Sequence, residues 1–194
     1  MLVIARHGQT GLNAQGRLAG RLDVGLTSLG ERQAVALAAA VKVIGDPDLV
    51  VASPLSRARH TAAALGGDAT VDERWIELDY GEFDGRLVSD VPNQVWDTWR
   101  SDPEFALPGG ESLASLGLRV RESCAELAAR ARRDLVVVVT HVSPIKAAAA
   151  WALGVGDDVA WRMFVAPGSL TCIDVGDRGP SLRSFNEAAH LAGC

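Results

Sequence analysis

Three short polar clusters hold most of the side chains with chemical capacity: Arg6-His7-Gly8-Gln9-Thr10, Ser53-Pro54-Leu55-Ser56-Arg57 and Thr140-His141. Each follows directly on an apolar run. In open α/β sheets, ligands bind beyond the carboxyl ends of the strands, so clusters placed this way are expected to converge on one crevice. Two arginines and two histidines would then meet. Such a gathering is costly unless an anion neutralises it, and guanidinium forks with imidazoles match a tetrahedral phosphate. The residue types and their placement therefore predict a site that handles phosphate.

The apolar runs are Leu2 to Ala5, Asp48 to Ala52 and Leu135 to Val139. They lack polar alternation, which suits strands buried on both faces of a parallel sheet. Helical patterns lie between them. Ala34, Leu37, Ala38 and Val41 repeat at helical spacing after Ser28, read as an N-cap with Glu31 in a capping box, and Gly45 and Pro47 end that helix. Ser53 and Pro54 read as the N-cap and first position of a second helix reaching Leu65. Leu113, Leu116, Val120, Cys124 and Leu127 form another stripe, ending in Arg130, Arg132 and Arg133. Pro144 is read as opening a segment to Leu153, and Ser169 to Val175 and Ser181 to Phe185 as closing strands. This order predicts right-handed crossovers and an α/β sandwich in one domain, 1–194. The least regular stretch, Tyr80 to Gly110, reads as a small cap, with Trp96 and Trp99 on one buried helix face.

Composition narrows the function. A chain of 194 residues with 48% hydrophobic and 22% charged residues can build a sizeable core. Its net charge of −5 argues against nucleic acid or an anionic membrane surface as a partner, because both require a basic face. Lys42 and Lys146 are the only lysines among 19 basic residues. Cys124, Cys172 and Cys194 have neither zinc spacing nor a disulfide pattern, and His7, His60, His141 and His190 show no metal-binding spacing, so no metal and no cofactor are expected. Reduced thiols, the absence of a leader pattern in MLVIARHG and the absence of a membrane-length apolar run predict a cytoplasmic protein. A homodimer stays open.

Taken in order, RHGQTGLN, LTSLGERQA, SPLSRARHTA, ELDYGEFDG, PGGES and VTHVSPIK resemble the histidine phosphatase superfamily, also called phosphoglycerate mutase-like. The motifs span residues 4 to 146. An isolated RHG would say little, whereas the ordered set is specific. The resemblance implies a three-layer αβα sandwich with a mostly parallel central sheet, and a small phosphorylated metabolite as substrate. It also implies roles for individual residues. His7 matches the nucleophile that becomes a phosphohistidine, Arg6 and Arg57 match phosphate ligands, and His141 matches the second histidine on the transferring group. Asn13 matches a further phosphate contact, Val142 stands in the loop that closes on the substrate, and Glu77 matches the acid that protonates the leaving oxygen.

Each role has a physical basis. An imidazole that is neutral at the attacking nitrogen and oriented through the other splits one hard displacement into two. Arginines hold phosphoryl oxygens and stabilise the charge of an in-line transition state without a metal. A carboxylic acid with a raised pKa, or one sharing a proton with the substrate, assists an alkoxide to leave and then serves as base for water.

Val142-Ser143-Pro144 stand where many relatives carry Gly-Gly, which bears on substrate shape rather than on phosphoryl chemistry. VTHVSPIK and the short ELDYGEFDG segment look more like the alpha-ribazole and broad-specificity phosphatase branch than the glycolytic mutases. A metal-independent phosphatase is therefore the leading expectation. A cofactor-dependent phosphoglycerate mutase and a pseudophosphatase that binds phosphorylated ligands without turnover are the alternatives.

Overall fold

The structure is a computed structural model describing residues 1–194. Its centre is a six-stranded sheet built from β1 (Leu2–Arg6), β2 (Leu49–Ala52), β3 (Thr70–Val71), β4 (Val136–Thr140), β5 (Leu170–Gly176) and β6 (Gly179–Glu187), in the order β3-β2-β4-β1-β5-β6. Neighbours from β3 to β1 pair in parallel, and β5 pairs antiparallel with both β1 and β6. The mostly parallel sandwich expected from the sequence is the one observed.

Alternate strand residues separate the two faces. Val3, Ala5, Val50, Ala52, Val137 and Val139 pack with Leu37 and Val41 of α2 (Ser28–Ile44) and Ala58 and Ala62 of α3 (Ser56–Ala63). Leu2, Ile4, Val51, Val136 and Val138 pack instead with the stripe of α5 (Leu113–Ala131) and with Ile145 and Ala148 of α6 (Val142–Leu153). With both faces covered, β1 and β4 are buried throughout, which is why their sequences run without alternation. The short helix α1 (Gly11–Ala14) follows β1, and α4 (Asn93–Ser101) lies within the irregular segment between β3 and α5. No helix is long and apolar enough to cross a membrane.

Three helix starts differ from the sequence reading: α2 is capped by the residue before Ser28, and in α3 and α6 a distant carboxylate takes the first N–H groups. Thr27 rather than Ser28 caps α2: its hydroxyl accepts from Gly30 N at 3.1 Å while its own N–H reaches Gln9 O at 2.9 Å. Ser53 and Pro54 do not open α3, which begins at Ser56, whose N–H donates to Asp23 Oδ1 at 2.7 Å. In α6, Pro144 is the third residue rather than the first. The two N–H groups ahead of it are taken by a carboxylate, and proline at this place lacks only an N–H that the first turn could not use.

β4 lies between β2 and β1, with Ala52 opposite Val139 and Arg6 opposite Thr140. Ser53, His7 and His141, each one residue further along, therefore leave the same edge of three adjacent strands.

Candidate active site

The loop after β1 is compressed against α2. A Cβ at Gly8 would lie 2.2 Å from the carbonyl oxygen of Gly30, so only glycine fits, and Gly8 N donates to Thr61 Oγ1 at 3.1 Å. The carbonyl of Gly8 lies 2.7 Å from Nδ1 of His7. A carbonyl only accepts, so Nδ1 carries the proton and Nε2 carries the lone pair. His7 is buried, and burial together with the charges of Arg6 and Arg57 holds its pKa well below the usual histidine value. The ring is a neutral imidazole with an unprotonated Nε2.

The ring of His141 sits 5.0 Å from that of His7, centroid to centroid. Arg57 Nε donates to His141 Nδ1 at 3.2 Å, which places the His141 proton on Nε2, where it faces Ser53 Oγ at 2.7 Å. Burial lowers the His141 pKa well below the ordinary range, and His7, Arg57 and Arg6 add to the effect. Arg57 is fully buried and also donates to Leu22 O and Gly20 O, each at 2.7 Å. Arg6 donates to Val165 O at 2.6 Å, and its buried Nε has no acceptor. Burial pulls the Arg6 pKa down to about 10, opposed by the attraction of Glu77.

Glu77 is the buried carboxylate among these cations. Oε1 accepts from Leu78 N at 2.8 Å and Ser143 N at 3.1 Å, and Oε2 accepts from Val142 N at 3.2 Å. It thus occupies the positive end of α6. Arg119 fixes its backbone by donating to the carbonyls of Arg74, Ile76 and Glu77 while pairing with Glu111. Beneath it, Gly81 takes a φ of 54° with its Cα close to Pro108 O, which joins the ELDYG and PGGES segments. Asp79 accepts from Gly81 N, Asp84 from Arg21 N, and Glu82 is exposed, so none of these neighbours duplicates Glu77.

Arg6, His7, Arg57, Glu77 and His141 are brought together. Asn13 stands on α1, where Oδ1 accepts from Thr10 N at 3.0 Å and leaves the NH2 group as its donor. Val142 contributes an N–H to Glu77 and its side chain to an adjoining cavity of about 170 Å³. His60 is exposed, and His190 bonds to Gly168 O at 2.9 Å, so neither joins the site. Sequence reasoning missed Ser53 as a partner of His141, because Ser-Pro reads as a helix start. It also favoured a buried helix face over a substrate shelf for Trp96 and Trp99, with a lid over the site left open, and passed over Trp161; all three line the cavity. An aromatic triplet between Tyr80 and Arg162 was a signal that could have found it.

The model of the histidine phosphatase superfamily, branch 1, matches residues 2–188. The chain belongs to that superfamily. It is 34% identical to the "Bifunctional protein Rv2228c" of Mycobacterium tuberculosis over 98% of its own length and 54% of the relative's, so it spans about half of that protein. Phosphoserine phosphatase 1 of Hydrogenobacter thermophilus is 31% identical over 98% of this chain and 93% of that one. A mycobacterial glucosyl-3-phosphoglycerate phosphatase, Rv2419c, solved in complex with VO3, superposes with a TM-score of 0.86 at 33% identity, covering 96% and 98% of the two chains. Within the superfamily, this chain shares its fold with phosphatases named for different substrates.

Proposed function

We propose that this chain is a metal-independent phosphomonoesterase acting on a small phosphorylated molecule through a phosphohistidine on His7. The observation that carries the reading is the hydrogen bond from His7 Nδ1 to Gly8 O at 2.7 Å, which leaves a neutral Nε2 among Arg6, Arg57 and His141. The superfamily and its phosphatase-named relatives support it.

In the first step, Nε2 of His7 attacks phosphorus and the P–O bond to the leaving group breaks. Arg6 and Arg57 balance the charge on the equatorial oxygens, with the unpaired Nε of Arg6 and the remaining N–H groups of Arg57 as donors. The Asn13 NH2 group is a further donor, and His141, whose Nε2–H is held by Ser53 Oγ, packs beside the His7 ring. The leaving oxygen receives a proton through Glu77, which takes it from the substrate monoanion. In the second step, water gives a proton to Glu77 and its oxygen to phosphorus, the P–N bond breaks, and His7 regains its lone pair. Phosphate leaves with the proton that Glu77 held. No step needs a Lewis acid, because guanidinium groups supply the positive charge.

The test is phosphate release from p-nitrophenyl phosphate in the presence of chelator, for wild type beside His7→Ala. The expected result is turnover in the wild type that is lost in the variant. A wild type that releases phosphate from no monoester between pH 5 and 8 overturns the reading.

A further inference from the structure

The residues whose amides hold Glu77, namely Leu78, Val142 and Ser143, also line the 170 Å³ cavity. The cavity therefore begins where a leaving group would depart if Glu77 protonates it. An apolar cavity of about 150 Å³ is enough to hold a benzene molecule, so this space suits one six-membered ring. Its wall is aromatic. Trp96 and Trp99 stack at 5.5 Å with an interplanar angle of 16°, and Trp161 meets their edges at 6.0 and 5.5 Å.

One charged side chain interrupts this lining. Lys146 lies on α6, four residues after Val142 and three after Ser143, hence on the same helix face. Lys42 pairs with Asp46 at the surface, whereas Lys146 enters no ion pair. Burial, together with the charge of Arg6, lowers the Lys146 pKa against the attraction of Glu77, so an added anion in the cavity would favour its charged form.

We infer that this cavity is the leaving-group subsite and that it selects monoesters whose alcohol is a ring-sized apolar body bearing one anionic substituent, paired by Lys146. The inference rests on the phosphatase reading above. Aromatic walls bury the ring, and the lysine favours the anion, because a half-buried ammonium in an apolar wall gains from a partner. Lys146 and the tryptophans act on specificity and do not touch the phosphoryl group.

The experiment compares phenyl phosphate with the ortho, meta and para carboxyphenyl phosphates. Wild type should favour the best carboxylated isomer by roughly tenfold in kcat/KM, a difference of about 1.4 kcal/mol. Lys146→Met should bring that ratio close to one, mainly through KM, and Lys146→Arg should keep most of it. Trp96→Ala should lower kcat/KM for phenyl phosphate more than for ethyl phosphate. A wild-type ratio near one, or equal losses on both aryl substrates in Lys146→Met, overturns the role of the lysine; equal losses on phenyl and ethyl phosphate overturn that of the aromatic wall. Binding to the His7→Ala protein, read by tryptophan fluorescence, separates this inference from the phosphatase reading. Tighter binding of a carboxylated ester than of phenyl phosphate, with no turnover by wild type, would keep the subsite and remove the phosphatase. Turnover of both esters at equal kcat/KM would do the reverse.

Discussion

Ser53 Oγ lies 2.7 Å from Nε2 of His141 and accepts a hydrogen bond from the N–H that the Arg57 donor places on that nitrogen. Both partners are fully buried, so the hydroxyl sets the direction of the His141 N–H before any substrate arrives. Ser53→Ala leaves that N–H without its partner at a cost of about 1–3 kcal/mol. The expected outcome is a lower unfolding free energy by that amount and a fall in kcat that Ser53→Thr partly restores. A variant with wild-type kcat would show that His141 is oriented by Arg57 alone.

His7→Ala removes the nucleophile. Turnover should fall by at least about 10³-fold and toward the roughly 10⁶-fold seen when a covalent nucleophile is lost, and an acid-labile phosphorylated enzyme trapped from wild type should be missing. Circular dichroism should be unchanged, since the loop is held by Gly8 N–H donating to Thr61 Oγ1 and by the His7 backbone pairing with Thr140 O and Gly168 N. Residual activity within tenfold of wild type would reassign the nucleophile.

Glu77→Gln replaces one acceptor oxygen with an NH2 group that confronts the N–H of Val142 or Ser143. Two effects should follow together: a loss of stability of about 1–3 kcal/mol from unsatisfied donors, and a slower reaction that depends on the leaving group. Alkyl phosphates, which need protonation, should lose about 10²-fold or more, and activated aryl phosphates less. Equal losses across a leaving-group series would remove Glu77 as the acid.

The pH dependence follows from the two neutral imidazoles. Both folded-state pKa values lie well below the ordinary histidine value of about 6.5. Below that pH the unfolded chain binds protons that the folded chain refuses, so these residues cost no stability above about pH 6.5 and an increasing amount as pH falls beneath it. The Cε1–H resonances of His7 and His141 should stay flat between pH 6 and 8 in the phosphate-free protein, and Tm should drop on acidification. Titration of either ring with a midpoint near 6.5 would contradict the buried, cation-facing environment.

Much of the fold was legible because the information was local. The runs at Leu2, Asp48 and Leu135 announced strands buried on both faces, and the stripe from Leu113 to Leu127 announced α5, since a two-sided burial and a helical face each leave a period in the chain. The convergence of Arg6, His7, Arg57 and His141 followed from their position directly after those runs. Helix starts were less legible: Asp23 and Glu77 cap α3 and α6 from remote loops, and no local pattern records a partner that far along the chain.

By itself, the sequence determined the class of fold, the residues able to handle a phosphoryl group and the superfamily those motifs resemble, because these depend on residue types and short spacings. Only the tertiary structure decided which nitrogen of each histidine carries its proton, since the deciding partners, Gly8 O, Arg57 Nε and Ser53 Oγ, are a matter of distance and direction. It alone also set Trp96, Trp99, Trp161 and Lys146 around one cavity beside Glu77, because their closeness arises from the packing of α4, α6 and the segment Asp157–Arg162 rather than from any spacing in the chain.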